Sequence, residues 1–263
     1  MNHGDAFVLG LVQGLTEFLP VSSSGHLVIV QELLGAGQEG LVFEVAVHVA
    51  TLASVLIFYR RRVKALVLES LALRPQALRY VAKLGLATLP AGFAYLVVGR
   101  WLEAQFEIAS VTGVCLIVTG ALLWTTRRTL GSAQGEEPGW MAALWIGCAQ
   151  AVAILPGISR SGSTVAMALA LGIAPAAAAE FSFMMSVIVV SAAAAQKLPA
   201  VWGLASEQLA PLAVGGLAAL ASGLAAIWIF LRLLRSRHFY RFAYYTWTVG
   251  ALFLIWLWGR SGA

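Results

Sequence analysis

Stretches free of Asp, Glu, Lys and Arg dominate the pattern of this chain, and four of them approach or exceed the roughly 20 residues needed to cross the hydrocarbon core of a bilayer. They are Ile108 to Thr126, Gly139 to Ser159, Gln208 to Leu231 and Phe242 to Gly259. The shorter or lightly interrupted runs Leu41 to Tyr59, Leu84 to Gly99 and Phe181 to Gln196 also read as crossings, the second in spite of Pro90. Two regions do not read as simple crossings. The first is broken by Pro20 and Ser22-Ser23-Ser24-Gly25, the second by Pro156-Gly157 and Ser159-Arg160-Ser161-Gly162. Irregular backbone at membrane depth is tolerated only where protein or a water-filled cavity satisfies its polar groups. Both regions are therefore expected to be re-entrant helical hairpins, over residues 4–35 and 139–172.

At a fixed offset of 137 residues the two hairpins match: Gly10 falls on Gly147, Gln13 on Gln150, Ser22 on Ser159, Ser24 on Ser161, Gly25 on Gly162 and Gly35 on Gly172. The Gln and the Ser-x-Ser-Gly carry the argument, because Gly matches come cheaply in this composition. The expected fold is thus all-α and integral to the membrane, an internal duplication of repeats 1–130 and 138–263 within one membrane domain. Each repeat holds one re-entrant hairpin and three crossings, making six transmembrane helices and two hairpins. A hairpin returns to its own side and three crossings are odd, so the second repeat enters upside down, as an inverted-topology pair.

Composition narrows the class further. Sixty per cent of the 263 residues are hydrophobic and 11% charged, which excludes a water-soluble globule and a disordered chain. Cys115 and Cys148 both lie inside apolar runs, so no disulfide scaffold is expected. The stretch Met1 to Phe7 has Asp5 and no Lys or Arg, and does not read as a cleavable signal peptide. A net charge of +5 would suggest nucleic acid in a soluble protein, but here the basic residues sit between apolar stretches and orient the chain, so no nucleic-acid partner is expected. Thirteen of them fall on one side of the expected layout: Arg60, Arg61, Arg62, Lys64, Arg74, Arg79, Lys83, Arg127, Arg128, Arg232, Arg235, Arg237 and Arg241. Only Arg100, Lys197 and Arg260 fall on the other. The positive-inside rule makes the first side cytoplasmic and turns both termini and the mouth of the first hairpin outward. Tryptophans 101, 140, 202, 256 and 258 lie near span ends as an aromatic belt.

One basic residue is left over, at membrane depth. An arginine there costs about 2.5 to 3.5 kcal/mol on insertion scales, to be offset by a partner or an aqueous cavity. Arg160 stands in a turn feeding a half-helix, where free amides and the helix dipole favour an anion. With the hydroxyls of Ser159, Ser161 and Thr164 and the close approach Gly162 permits, it describes a phosphate site, or else a structural Arg bonded to carbonyls of the broken helix. The first hairpin brings complementary chemistry. Gln13 and Glu17 share a helix face, followed by Ser22, Ser23, Ser24 and His26. Glu17 suits a divalent cation or a general base, a serine suits a nucleophile, and His26 suits proton transfer. A bare salt bridge from Glu17 to Arg160 and a helix-capping His26 are the simpler alternatives. Pseudo-symmetry should bring Glu17 and His26 opposite Arg160 in one cavity. Glu44 and His48 line its mouth or snorkel to water, and Glu180 is a helix-end residue or a partner of Arg127 or Arg128.

Across Gln13-Gly-Leu-Thr-Glu17-Phe-Leu-Pro-Val-Ser-Ser-Ser-Gly-His26 and Pro156-Gly-Ile-Ser-Arg160-Ser-Gly-Ser-Thr164, the chain resembles the undecaprenyl-diphosphate phosphatase family, also called bacitracin-resistance proteins. The resemblance spans nearly the whole chain, and Val47-His48-Val49-Ala50-Thr51-Leu52 is similar to a weaker third segment in which the family commonly has Gly at the place of Ala50. It implies a bacterial inner-membrane hydrolase that removes the terminal phosphate of undecaprenyl diphosphate on the periplasmic face, recycling the carrier for peptidoglycan synthesis and conferring bacitracin resistance. It also implies Glu17, His26 and Arg160 as essential residues, Ser23 as candidate nucleophile, and support from a divalent cation, magnesium or calcium. Gln13, Ser22, Ser24, Ser159, Ser161, Gly162, Thr164 and His48 complete the expected substrate-binding set. An acid-phosphatase-like lipid phosphatase would need His where Ala166 stands. A polyprenyl-phosphate transporter or flippase is the rival from another class, since inverted repeats with broken helices suit transport. The nucleophile, serine or activated water, stays open, and the sequence leaves room for a homodimer.

Overall fold

A computed structural model describes residues 2–34, 41–131, 133–197 and 206–261, and within them the chain is all helical. The expected match of Gly35, Trp202 of the aromatic belt and the side chain of Lys197 lie outside what is described. Helix α1 is His3–Phe18, capped by Asn2, whose side chain accepts from the Asp5 amide at 2.8 Å. It stops at Leu19, held extended (ψ 147) as the residue before Pro20. Then follow α2 (Ser23–Leu34), α3 (Leu41–Phe58), α4 (Arg60–Leu71), α5 (Pro75–Phe106), α6 (Ala109–Thr129), α7 (Trp140–Val152), α8 (Arg160–Ala170), α9 (Pro175–Lys197), α10 (Ser206–Arg235), a single 3-10 turn at Phe239–Arg241 and α11 (Phe242–Ser261).

All six expected crossings are helices, namely α3, α5, α6, α9, α10 and α11. Five are long and apolar enough to span a bilayer by themselves, and α3 makes a sixth when taken with α4, from which it is bent by 81°. Pro90 does not interrupt α5, whose helical geometry breaks only at Val98 (φ −124, ψ 17). Large apolar side chains such as Leu89, Phe93, Leu96 and Trp258 point outward uncovered, as lipid requires of a spanning helix.

The stretch from Arg60 to Arg74, expected as a cytoplasmic loop, is instead mostly α4. It contains neither Gly nor Pro and is rich in Arg, Lys, Leu, Ala and Glu, all good helix formers. The bend lays α4 back against the bundle, and Arg62 reaches Glu180 on α9 at 2.8 Å. Glu180 is therefore the partner of Arg62, not of Arg127 or Arg128, because the fold of α4 could not be read from charge spacing.

Packing places the two broken regions, α1 with α2 and α7 with α8, in like surroundings. Helix α1 lies along α10, α7 lies along α5, and α6 pairs with α11. A methyl group on Gly10 would strike the carbonyl of Gly215 on α10, and one on Gly147 the carbonyl of Ala87 on α5. The matched glycines are thus where α1 and α7 each meet a long neighbour backbone to backbone. Phe18, fully buried beside Glu17, meets Phe183 edge-on at 5.6 Å, and Phe183 meets Phe230 at 5.2 Å. This aromatic chain anchors the end of α1 and so the carboxylate next to it.

Candidate active site

Both broken turns are built by the same local bonds. Ser22 Oγ accepts from the Gly25 amide at 3.3 Å and lies 3.2 Å from Ser24 Oγ. Ser159 Oγ accepts from the Gly162 amide at 3.1 Å and lies 3.3 Å from Ser161 Oγ. The first serine of each Ser-x-Ser-Gly is thus the cap of the half-helix that follows, α2 or α8. Ser22 holds φ at +70, a conformation non-glycine residues enter at a cost of about 1–2 kcal/mol, and Gly157 takes φ +94 in the other turn. Thr119 of α6 pins that second turn, donating to the Gly157 carbonyl at 2.8 Å and accepting from the Ser159 amide at 3.0 Å.

The turns touch. Ser161 Oγ donates to the Leu19 carbonyl at 3.2 Å, and a Cβ on Gly25 would sit 3.1 Å from Gly157 Cα. Around this contact Glu17 is the hub. Its Oε1 takes a 2.6 Å bond from Arg160 Nη2, and its Oε2 takes 2.7 Å from Ser23 Oγ and 3.0 Å from Gln13 Nε2. Ser23 and Arg160 are the first residues of α2 and α8 and stand 137 apart, so the two half-helix starts present one group each to the two oxygens of one carboxylate. Their N-termini, with the positive ends of both helix dipoles, open on the same place.

The Glu17–Arg160 pair is sheltered, with 7% and 17% of the side chains exposed. Removing one partner of such a pair strands the other, at about 3–5 kcal/mol. It is not a closed pair, however. Arg160 Nη1 is buried and bonds to nothing among the described residues, so half the guanidinium fork is unused and demands an acceptor. Gln13 Oε1 is buried and equally without a donor.

His26 faces away from Ser23 in its bonds. Nδ1 lies 2.8 Å from the Ser22 carbonyl and Nε2 lies 2.8 Å from the hydroxyl of Tyr245 on α11. Ser23 has Glu17, not His26, as the acceptor of its proton. Thr164, expected on the substrate, is buried and bonded to the Arg160 carbonyl (2.8 Å) and Ser182 Oγ (2.7 Å), inside the packing of α8 on α9. His48 turns Nδ1 to the Glu44 carbonyl of its own helix at 2.7 Å. Ser24, Ser161 and Gly162 stand at the turns, and Ser159 and Ser22 serve as caps. Tyr245, Thr119 and Ser163, whose buried hydroxyl has no partner among the described residues, were not foreseen. Ser163 alone left a trace in the sequence, since it matches His26 at the offset of 137.

As a cation site the residues offer oxygen only. No cluster of three or more His, Cys, Asp or Glu side chains suited to a metal exists among the described residues. Magnesium is commonly held by one or two carboxylates together with substrate phosphates, whereas calcium takes about six to eight oxygens, and Glu17 with the orphaned Gln13 Oε1 would be the protein's share of such a set.

Residues 6–252 match the family described as bacitracin resistance protein BacA. The chain is 38% identical over 260 residues to the undecaprenyl-diphosphatase of Carboxydothermus hydrogenoformans, covering 97% of each chain. It is 40% identical over 259 residues to that of Syntrophotalea carbinolica, covering 96% of this chain and 98% of the relative. Against that of Alkaliphilus metalliredigens it is 36% identical over 271 residues, covering 97% and 98%.

Proposed function

The chain belongs to the bacitracin resistance protein BacA family, and we propose that it hydrolyses undecaprenyl diphosphate to undecaprenyl phosphate and inorganic phosphate. The relatives that carry the name undecaprenyl-diphosphatase support the substrate. The observation that carries the reading is Glu17 bridging Ser23 on one oxygen and Arg160 on the other. An anion carrier needs the arginine. It has no use for a hydroxyl aimed at a buried carboxylate, whereas phosphoryl transfer uses both.

In this reading Ser23 Oγ attacks the terminal phosphorus while its proton passes to Glu17 Oε2. The bond from that phosphorus to the bridging oxygen breaks, and undecaprenyl phosphate leaves as His26, one turn along α2, supplies the proton its oxygen takes up. Water then attacks the phosphoserine and gives up a proton to the now neutral His26, Glu17 returns its proton to Ser23 as the phosphorus–Oγ bond breaks, and inorganic phosphate departs. Arg160 Nη1 bonds the equatorial oxygens as charge builds on them. Magnesium or calcium, held by Glu17 and Gln13 Oε1 when bound, would neutralise the diphosphate.

The two hairpins are read as re-entrant parts of an inverted repeat, with the site opening opposite the basic loops, on the outer face of the bacterial plasma membrane. Sidedness is checked in intact spheroplasts, on a chain whose Cys115 and Cys148 are replaced by Ala. A membrane-impermeant thiol reagent should label His3→Cys and spare Gly131→Cys; the opposite labelling reverses the orientation.

The activity itself is tested with purified protein in detergent, where no transport is possible. With substrate and a divalent cation present, inorganic phosphate should be released at many turnovers per molecule. Folded protein that binds the lipid and releases none would overturn the hydrolase reading in favour of a carrier.

A further inference from the structure

The last helix contributes a group that this chemistry leaves unassigned. Tyr245, one turn into α11, brings its hydroxyl to 2.8 Å from His26 Nε2 across 219 residues of sequence. Its place follows from the packing of α11 on α6. Trp247, two residues on, donates its indole N–H to the Ile117 carbonyl at 3.0 Å and lies against Gly120, where any side chain would collide with its ring. Tyr244 meets Trp124 edge-on at 5.6 Å. These contacts set the register of α11, and the register presents Tyr245 to the histidine.

The bonds of the imidazole define what Tyr245 does. The Ser22 carbonyl can only accept, so Nδ1 carries the hydrogen of that 2.8 Å bond. In the neutral ring Nε2 is then a lone pair, and the Tyr245 hydroxyl donates to it. Once His26 takes up a second proton, Nε2 becomes a donor and the same hydroxyl accepts. An indole or an ammonium in this place only donates and a carboxylate only accepts, so a hydroxyl is suited to accompany a histidine that cycles between the two states. At 8% exposure His26 has little water to fall back on when that partner is lost.

We infer that Tyr245 is the positioning residue of His26, partnering Nε2 and holding the imidazole in one orientation through both protonation states of the reaction. The inference rests on the reading of His26 as the proton carrier of the hydrolase, and it adds that the last helix of the chain completes a site otherwise built from the two hairpins.

The test is a double-mutant cycle on the full-length protein in detergent, read by phosphate release and by nitrogen-15 spectra of the labelled histidines. Tyr245→Phe, which keeps the ring, should lower kcat about tenfold, the scale of one lost hydrogen bond to a group that becomes charged. KM should stay within about twofold of wild type, because the tyrosine touches the histidine and not the lipid. In a His26→Ala background the same substitution should change nothing further. The Nδ1-protonated tautomer, held by the Ser22 carbonyl, should persist in both proteins, while the Nε2 signal should shift in Tyr245→Phe as its hydrogen-bond donor is lost. Tyr244→Phe, next in sequence, should leave both readouts where they were.

Wild-type kcat in Tyr245→Phe, an equal fold-loss with and without His26, or an unmoved Nε2 signal would each overturn the assignment. Where His26→Ala turns over too slowly for the cycle, the Nε2 signal decides. Wild-type turnover in His26→Ala would instead remove the proton carrier from the mechanism, and the role of Tyr245 with it, while phosphate release by that variant would leave the hydrolase standing.

Discussion

Arg160→Lys is expected to lower turnover by about 10²–10³-fold, the usual result of removing one pre-aimed donor from a developing oxyanion, while the protein still folds and inserts. The substitution keeps the charge that balances Glu17, so the cost of a stranded buried carboxylate does not arise. What it removes is the fork. In the native chain Nη2 holds Glu17 at 2.6 Å while Nη1, buried and unbonded, stands available to substrate oxygens. A lysine ends in one nitrogen on a shorter reach and cannot keep the carboxylate in place and also meet the phosphate in a fixed plane. Phosphate release from the purified variant, alongside its thermal midpoint in detergent, measures the effect. A rate near wild type would show that Arg160 only neutralises Glu17, the plain salt bridge that the sequence also allowed.

Much of this site was legible before any coordinates, and the parts that were not share a cause. Charge-free runs marked the six long helices because a lipid solvent tolerates little else over that length. The two turns were marked by Pro20 and by Pro156-Gly157, each beside a run of hydroxyls that no crossing helix would carry. The meeting of Glu17 with Arg160 followed from the cost of leaving either charge alone at depth. Which hydroxyl does what was hidden. Ser22, Ser23 and Ser24 look alike in sequence, yet one caps α2, one donates to Glu17, and the third stands beside the cap. Those roles depend on where α2 begins, to the residue, and spacing alone does not resolve a boundary so finely.

Long-range pairings were hidden for a different reason. Arg62 with Glu180 and His26 with Tyr245 join side chains 118 and 219 residues apart, and each depends on how one helix rotates against another. The stretch that forms α4 was expected as a loop, and its charge spacing announced neither the helix nor the 81° bend that brings Arg62 to Glu180. Tyr245 sits in an aromatic-rich run, Phe242 to Trp247, where any of several rings could have faced the site.

Ser23→Ala is expected to abolish turnover to about the same degree as Arg160→Lys or beyond, since in the proposed mechanism it deletes the attacking atom. Ser23 Oγ donates to Glu17 Oε2 at 2.7 Å, the arrangement from which the proposed step would start. The measurement that tests this most directly is acid quenching of the purified enzyme during turnover of substrate labelled with phosphorus-32 in the terminal phosphate, followed by peptide mapping. The account predicts an acid-stable phosphoserine at Ser23 that disappears in Ser23→Ala together with activity. No label on any serine, with substantial turnover retained in Ser23→Ala, would contradict it and hand the attack to a water activated by Glu17.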